Sequence, residues 1–215
     1  MPSRETKTAT RRIAMQNALI VSLLMGMIMI PVVDAFAQPK DANIPDAVTV
    51  IHSRKSVRNF TGETVGRDVL EKIVRAGMAA PTAVNRQPWS FVIVTDRKTL
   101  DTLNDALPYA KMLKKAGAAV IVCAIPGKAF ENSTEFAVID STCASENILL
   151  ATEAFGLGAV WTAAYPYKDR MDIVRKTLNI PESVIPLNVI PIGHPTGTDR
   201  PKDKYRPENV HWEKW

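Results

Sequence analysis

Residues Thr134 to Phe155 make up a helical segment of about six turns that is apolar around most of its circumference. A helix without a face for water has to lie in a core or against another subunit, so the chain must be built around it. Gly156 and Gly158 end it. On either side, short β-branched runs alternate with helical periods. Leu70, Ile73, Val74, Gly77 and Met78 share one helical face, and that helix stops at Pro81. Strands are expected at Ser90–Thr95, Ala118–Ala124, Ala159–Thr162 and Leu187–Gly193. Helices are expected at 97–107, 109–115 and 168–179. The tail, residues 195–215, has three prolines and no helical period, which predicts extended chain. The sum is an α+β fold, a small sheet surrounded by helices.

The length of 215 residues suits one domain, and 46% hydrophobic with 23% charged residues excludes wholesale disorder. A formal charge of +5 spread over a domain is too little to argue for nucleic acid. Two cysteines cannot make a disulfide scaffold, and no Cys/His spacing resembles a metal site. Inert core thiols are expected at Cys123 and Cys143. With three histidines in the chain, chemistry should rest on a bound cofactor or on basic residues.

The first residues are set apart from the domain. Arg4, Lys7, Arg11 and Arg12 precede an apolar run from about Ala18 to Val33, and Ala35-Phe36-Ala37 has the small-x-small form of a signal-peptidase site. Residues 1–37 therefore read as a signal peptide and 38–215 as the domain, an exported protein expected in the periplasm. The apolar run, interrupted by Ser22 and Pro31, is short against the roughly 20 residues of a membrane span, and an uncleaved anchor is the rival reading. Arg11-Arg12 before a weakly hydrophobic run also matches a twin-arginine signal, although two adjacent arginines can equally serve as plain leader charge.

Three segments carry chemistry. Ser53 to Phe60 (S-R-K-S-V-R-N-F) sets cations beside hydroxyls, as a phosphate requires and as a solvated basic turn also allows. Ala80 to Phe91 (A-P-T-A-V-N-R-Q-P-W-S-F) concentrates Thr, Asn and Gln in a loop. Such amides can address the edge of a heterocycle, and capping or turn duties explain Thr82 and Asn85 as well. Lys202-Asp-Lys-Tyr-Arg206 reads by itself as a solvated charged end.

Together these segments resemble the nitroreductase family of flavoproteins, over nearly all of residues 44–215. The marks are R-K-S-V-R-N-F at 54–60, A-P-T-A-V-N-R-Q-P-W at 80–89, G-L-G-A-V-W at 156–161, P-I-G at 191–193 and V-H-W-E-K-W at the end of the chain. The resemblance implies an FMN-binding fold with a central mixed sheet, and an obligate homodimer whose two flavin sites lie at the subunit interface. It also implies hydride transfer from NADH or NADPH to nitroaromatics, quinones or similar small acceptors. By resemblance, Arg54 and Ser56 contact the flavin phosphate with Lys55 alongside, and Arg58 lies near N1 and the C2 carbonyl, where a cation stabilises the charge that reduction adds. Pro81, Thr82, Ala83, Asn85 and, more weakly, Gln87 correspond to a loop contributed by the partner subunit. Lys204 and Arg206 match a Lys-x-Arg pair that closes over the phosphate. Ala163 and Ala164 match the segment whose backbone N–H groups face flavin N5.

Two departures bear on the chemistry. Some members carry a glutamate near N5 where this chain has Ala163-Ala164, and the excursion that many insert above the flavin is reduced here to Tyr165–Lys168. No protein nucleophile or metal is expected. Trp161 and Tyr165 read as packing rather than as an acceptor pocket, and Asp140, Glu146 and Asn147 as partners of backbone or interface groups. His194, at a strand end, is a possible cofactor or acceptor contact. The rival functions are a non-catalytic flavin-binding protein and, with an uncleaved N-terminus, an electron-transfer partner at the membrane.

Overall fold

Seven apolar residues in a row leave a strand no side to offer to water, and β2 (Ala118–Ala124) is buried along its whole length. The computed structural model describes residues 45–215, so the expected signal peptide lies outside the described residues. Within them, β2 sits between β1 (Trp89–Val94) and β5 (Ile185–Gly193), and the far edge of β5 carries β3 (Gly158–Ala159) and β4 (Thr162–Ala163). All these pairings are antiparallel. The parallel component of the expected mixed sheet is one bridge, Ser56 with Ala159. β2 and β3 do run the same way, but β5 inserts between them and pairs with both.

The period of two along β2 sorts the core into two layers. Ala119, Ile121 and Cys123 pack with Leu100 and Leu103 of α3 (Arg97–Ala106) and Val174 of α5 (Lys168–Leu178). Ala118, Val120 and Val122 face the other way, onto Leu70 and Ile73 of α2 (Arg67–Met78) and Ile148 of α4 (Thr134–Ala154). Burial pushes the Cys123 thiol up to about 12, and both cysteines are free, in keeping with inert core thiols. A further helix, α1 (Ala47–Ser53), precedes the rest and is capped by Asp46, which accepts from the N–H groups of Val48 and Thr49.

Two expected elements differ. The strand expected at 159–162 is divided into β3 and β4. Its register on β5 would place Val160 opposite Pro191, which has no N–H to complete the ladder. Residues 109–115 form only a 3₁₀ turn, Lys111–Lys114, because the stretch between Pro108 and Gly117 is too short to nucleate an α-helix.

The long helix α4 is buried on one side by the spacing Ala137, Ser141, Ala144, Ile148 and Thr152, while Phe136 and Ile139 on it are exposed. No helix among the described residues is long and apolar enough to cross a membrane.

Candidate active site

The basic segment is positioned by its two apolar members. After α1 ends at Ser53, the chain runs extended over β3: Val57 donates its N–H to the Ala159 carbonyl at 2.9 Å, and Val57 and Phe60 are buried. With these fixed, Arg54, Lys55, Ser56 and Arg58 line a cavity of about 510 Å³. The start of the tail closes its other side. Thr61 N–H donates to the His194 carbonyl at 3.0 Å, Thr196 N–H to the Asn59 carbonyl at 3.0 Å, and Asp199 accepts from the Arg58 and Asn59 N–H groups at 3.3 and 3.4 Å. His194 thus serves the fold through its backbone. The stitching brings Arg200, Lys202 and Lys204 to the cavity, so six cations and one carboxylate, Asp199, line it. Arg206 is not brought in: it is exposed and its guanidinium donates to the Tyr205 carbonyl at 3.2 Å.

Two of the cradle cations are held from below by α4. Arg54 Nε lies 3.3 Å from Glu146, and Lys55 Nζ lies 2.8 Å from Glu153. Seven residues apart, these glutamates fall on one side of the helix two turns from each other. Lys55 therefore lines the cavity with its stem while its ammonium is bound to Glu153. Sequence reasoning foresaw a partner for Glu146 but missed Glu153 and Asp199; the i, i+7 acidic pair on an otherwise apolar helix was the available signal.

The amide loop lies elsewhere. Pro81, Thr82, Ala83, Asn85 and Gln87 do not line the cradle cavity of their own chain. Val84, Asn85 and Gln87 have φ of 44°, 58° and 52°, in the left-handed region that a β-branched residue such as Val84 rarely adopts. The loop is pinned by the buried carboxylate of Asp140, which accepts from Ala83 N–H at 3.2 Å, and by the Thr82 hydroxyl, which accepts from Gln87 N–H at 3.1 Å. Gln87 Nε2 donates to the Asn85 side-chain oxygen at 2.8 Å. Asn147 donates to the Ala76 carbonyl at 3.1 Å, so Asp140 and Asn147 answer to backbone as expected, whereas Glu146 pairs with Arg54 of the cradle rather than with a backbone or interface group.

At the open edge of the sheet, Ala163 and Ala164 part company. The Ala164 N–H is engaged by the Leu187 carbonyl at 3.1 Å, which removes it as a candidate donor to a flavin. In an antiparallel ladder the preceding residue turns its N–H and C=O away from the partner strand, so those of Ala163 face outward. Trp161 packs on the core layer containing α2 and α4, as packing predicted.

The family model described as the nitroreductase family matches residues 51–194. The chain belongs to the nitroreductase family. Among other nitroreductases it is 40% identical, over 79% of this chain and 88% of the relative, to a Methanothermobacter thermautotrophicus protein named as an NADH dehydrogenase/NAD(P)H nitroreductase. A crystal structure under the same name from Parabacteroides distasonis is 47% identical, with a TM-score of 0.74, covering 79% of this chain and 98% of that one. A more distant relative at 25% identity, named FMN reductase (NADPH), comes from Bacillus subtilis and shares 78% of this chain and 73% of its own length.

The donor set suits FMN. A phosphate needs cations and a hydroxyl around one cavity, and Arg54, Ser56 and Lys204 provide them in a cavity that the basic segment and the tail enclose, with Arg58 beside them.

Proposed function

We propose that this nitroreductase is an FMN-dependent oxidoreductase that takes hydride from NADH or NADPH and passes it to nitroaromatic, quinone or similar acceptors. The observation that carries this reading is a cation-lined cavity built jointly from the basic segment at 54–58 and the tail, whose charges by themselves read as a solvated end. The names of the M. thermautotrophicus and B. subtilis relatives point the same way. FMN, when bound, supplies the hydride chemistry, and the protein supplies position and charge. Arg54, Ser56 and Lys204 hold the phosphate, Arg58 balances charge at the N1 edge, and the outward N–H of Ala163 addresses N5.

The site is completed in a homodimer. The loop bearing Pro81, Thr82, Ala83, Asn85 and Gln87 is pinned in a strained form away from its own cradle, as suits a loop offered to the partner's flavin. Phe136, Ile139, Val48 and Ile51 leave apolar surface exposed, and so do Val210, Trp212 and Trp215 in the tail, where Arg206 has no place in its own cradle. Surface of that kind marks an interface. Purified protein is expected to be yellow, to release FMN on denaturation, to sediment as a dimer and to oxidise NADH or NADPH with menadione as acceptor. A colourless monomer that takes up no FMN would overturn the reading; a yellow dimer without turnover would mark it as a flavin-binding protein only.

We also propose export through residues 1–37, supported by the basic start, the apolar run and Ala35-Phe36-Ala37. A cradle assembled from distant parts of the chain exists only after folding, which favours transport of the folded holoprotein. Changing Arg11-Arg12 to Lys-Lys keeps the leader charge, and the expected result is loss of cleaved protein from the periplasmic fraction. Unchanged export of that variant would exclude a twin-arginine route.

A further inference from the structure

We propose that Arg170 selects acceptors that carry a negative charge, aromatic carboxylates above all, acting beside the reacting edge of the site. The proposal rests on the flavin reading above, which gives the N–H of Ala163 to N5. In a strand the N–H and C=O of one residue point to the same side, and the Ala163 carbonyl lies 3.5 Å from Arg170 Nη1. The guanidinium and that N–H therefore share the open edge of β4.

The guanidinium has rings rather than carboxylates around it. Its centre lies 3.7 Å from the centroid of the Tyr167 ring and 5.0 Å from that of Tyr109, so an aromatic ring stands against it on both counts. Of its five N–H donors, one reaches the Ala163 carbonyl at that long distance, and Nε is buried with no partner. It makes no ion pair among the described residues, and it is the one arginine among them with a buried side-chain nitrogen that has no partner. A packing role alone leaves Nε unsatisfied at a cost, and Nη2, which is not buried and has no partner among the described residues, is open to a ligand. A carboxylate accepts from two donors at once, in the fork geometry that guanidinium offers. The rings hold the cation before any ligand arrives, which lowers the ordering cost of binding. Tyr109 and Tyr167 are themselves 71% and 48% exposed, leaving aromatic surface for a flat acceptor to pack on. Arg170, Tyr109, Ala163 and Ala164 line one small cleft, so charge recognition and the N5 edge adjoin.

The experiment compares 4-nitrobenzoate with 4-nitrobenzamide, which are alike in shape and differ in charge, using the FMN-loaded protein and one fixed NADH concentration. The readout is the ratio of kcat/KM for the benzoate to that for the benzamide. Arg170→Met, which keeps the apolar stem, is expected to lower this ratio by about tenfold, chiefly through KM for the benzoate, as loss of one charge-assisted contact does. Arg170→Lys should lower it less. Should Arg170→Met fail to fold, Tyr109→Leu frees the guanidinium from one ring and is expected to lower the ratio in the same direction. An unchanged ratio in FMN-loaded, active variants overturns the role of Arg170 alone. Protein that binds no FMN, or that reduces neither compound, overturns the flavin reading and this proposal with it.

Discussion

Gly158→Ala is expected to destabilise the domain by roughly 2–4 kcal/mol and to empty the flavin site, because the added methyl has nowhere to go. A Cβ on Gly158 would stand 2.6 Å from Val57 Cγ1, 2.7 Å from its Cβ and 2.8 Å from Cγ2. Val57 cannot step aside easily. It is fully buried, and its N–H is bonded to the carbonyl of Ala159, the very next residue of β3. Moving Val57 drags Ser56 and Arg58 with it and breaks the bridge that seats the cradle on the sheet edge. Overpacking a rigid site costs about 1–3 kcal/mol, and the lost backbone hydrogen bond adds about 1 kcal/mol. For a domain of this size the fall in Tm is about 2–4 °C per kcal/mol. Circular dichroism melts with and without added FMN measure both parts: Tm drops, and FMN no longer raises it. Gly127→Ala is the control, since a Cβ there meets nothing within 4 Å. Equal melting of the two variants would remove Gly158 from the architecture of the site.

Gly158 also shows where reading from sequence stops. Gly156 and Gly158 both look like stops for the long helix, and the backbone gives that duty to Gly156, at φ 71°. Gly158 is needed for a contact with a residue a hundred positions earlier, which no local pattern encodes. Elements with a strong period were legible in full: β2 has the expected bounds, and α3 and α5 differ from theirs by a residue. The division of β3 from β4 follows from Pro191, visible in the sequence but meaningful only once β5 is known to pair there. The cradle was half legible. Its cations announce an anion, but which of them are already neutralised depends on α4 lying beneath, and α1, at seven residues, gives too little period to set that geometry. Arg170 was passed over for a related reason. A lone arginine early in a helix is ordinary until two rings and an unpartnered Nε are found around it.

Arg54 and Lys55 are neighbours in sequence, alike in charge and both paired to α4, yet their removal should register in different measurements. Arg54 faces a carboxylate, Glu146, whose side chain is half exposed, so water can take over when the arginine is gone. What Arg54→Ala removes is a contact to the flavin phosphate. A hydrogen bond to a charged group is worth about 1.5–3 kcal/mol, so FMN should bind at least about tenfold more weakly while Tm of the apoprotein barely moves. Lys55 is the opposite case. Its partner Glu153 has a side chain only 14% exposed, and Lys55→Met would strand that carboxylate without its cation. Breaking a buried pair from one side costs about 3–5 kcal/mol in full burial, and the partial exposure here brings the expected loss to about 2 kcal/mol of stability. Because the ammonium of Lys55 is already bound to Glu153, FMN affinity of the folded variant should fall by less than that of Arg54→Ala. Arg67→Ala, at a side chain 91% exposed, calibrates both scales with no effect on either. Fluorescence titration of the apoproteins with FMN and thermal melts of the same samples separate the two variants. If Lys55→Met proves the stronger blow to FMN binding and leaves Tm untouched, the lysine holds the phosphate directly and the pair with Glu153 yields when FMN arrives.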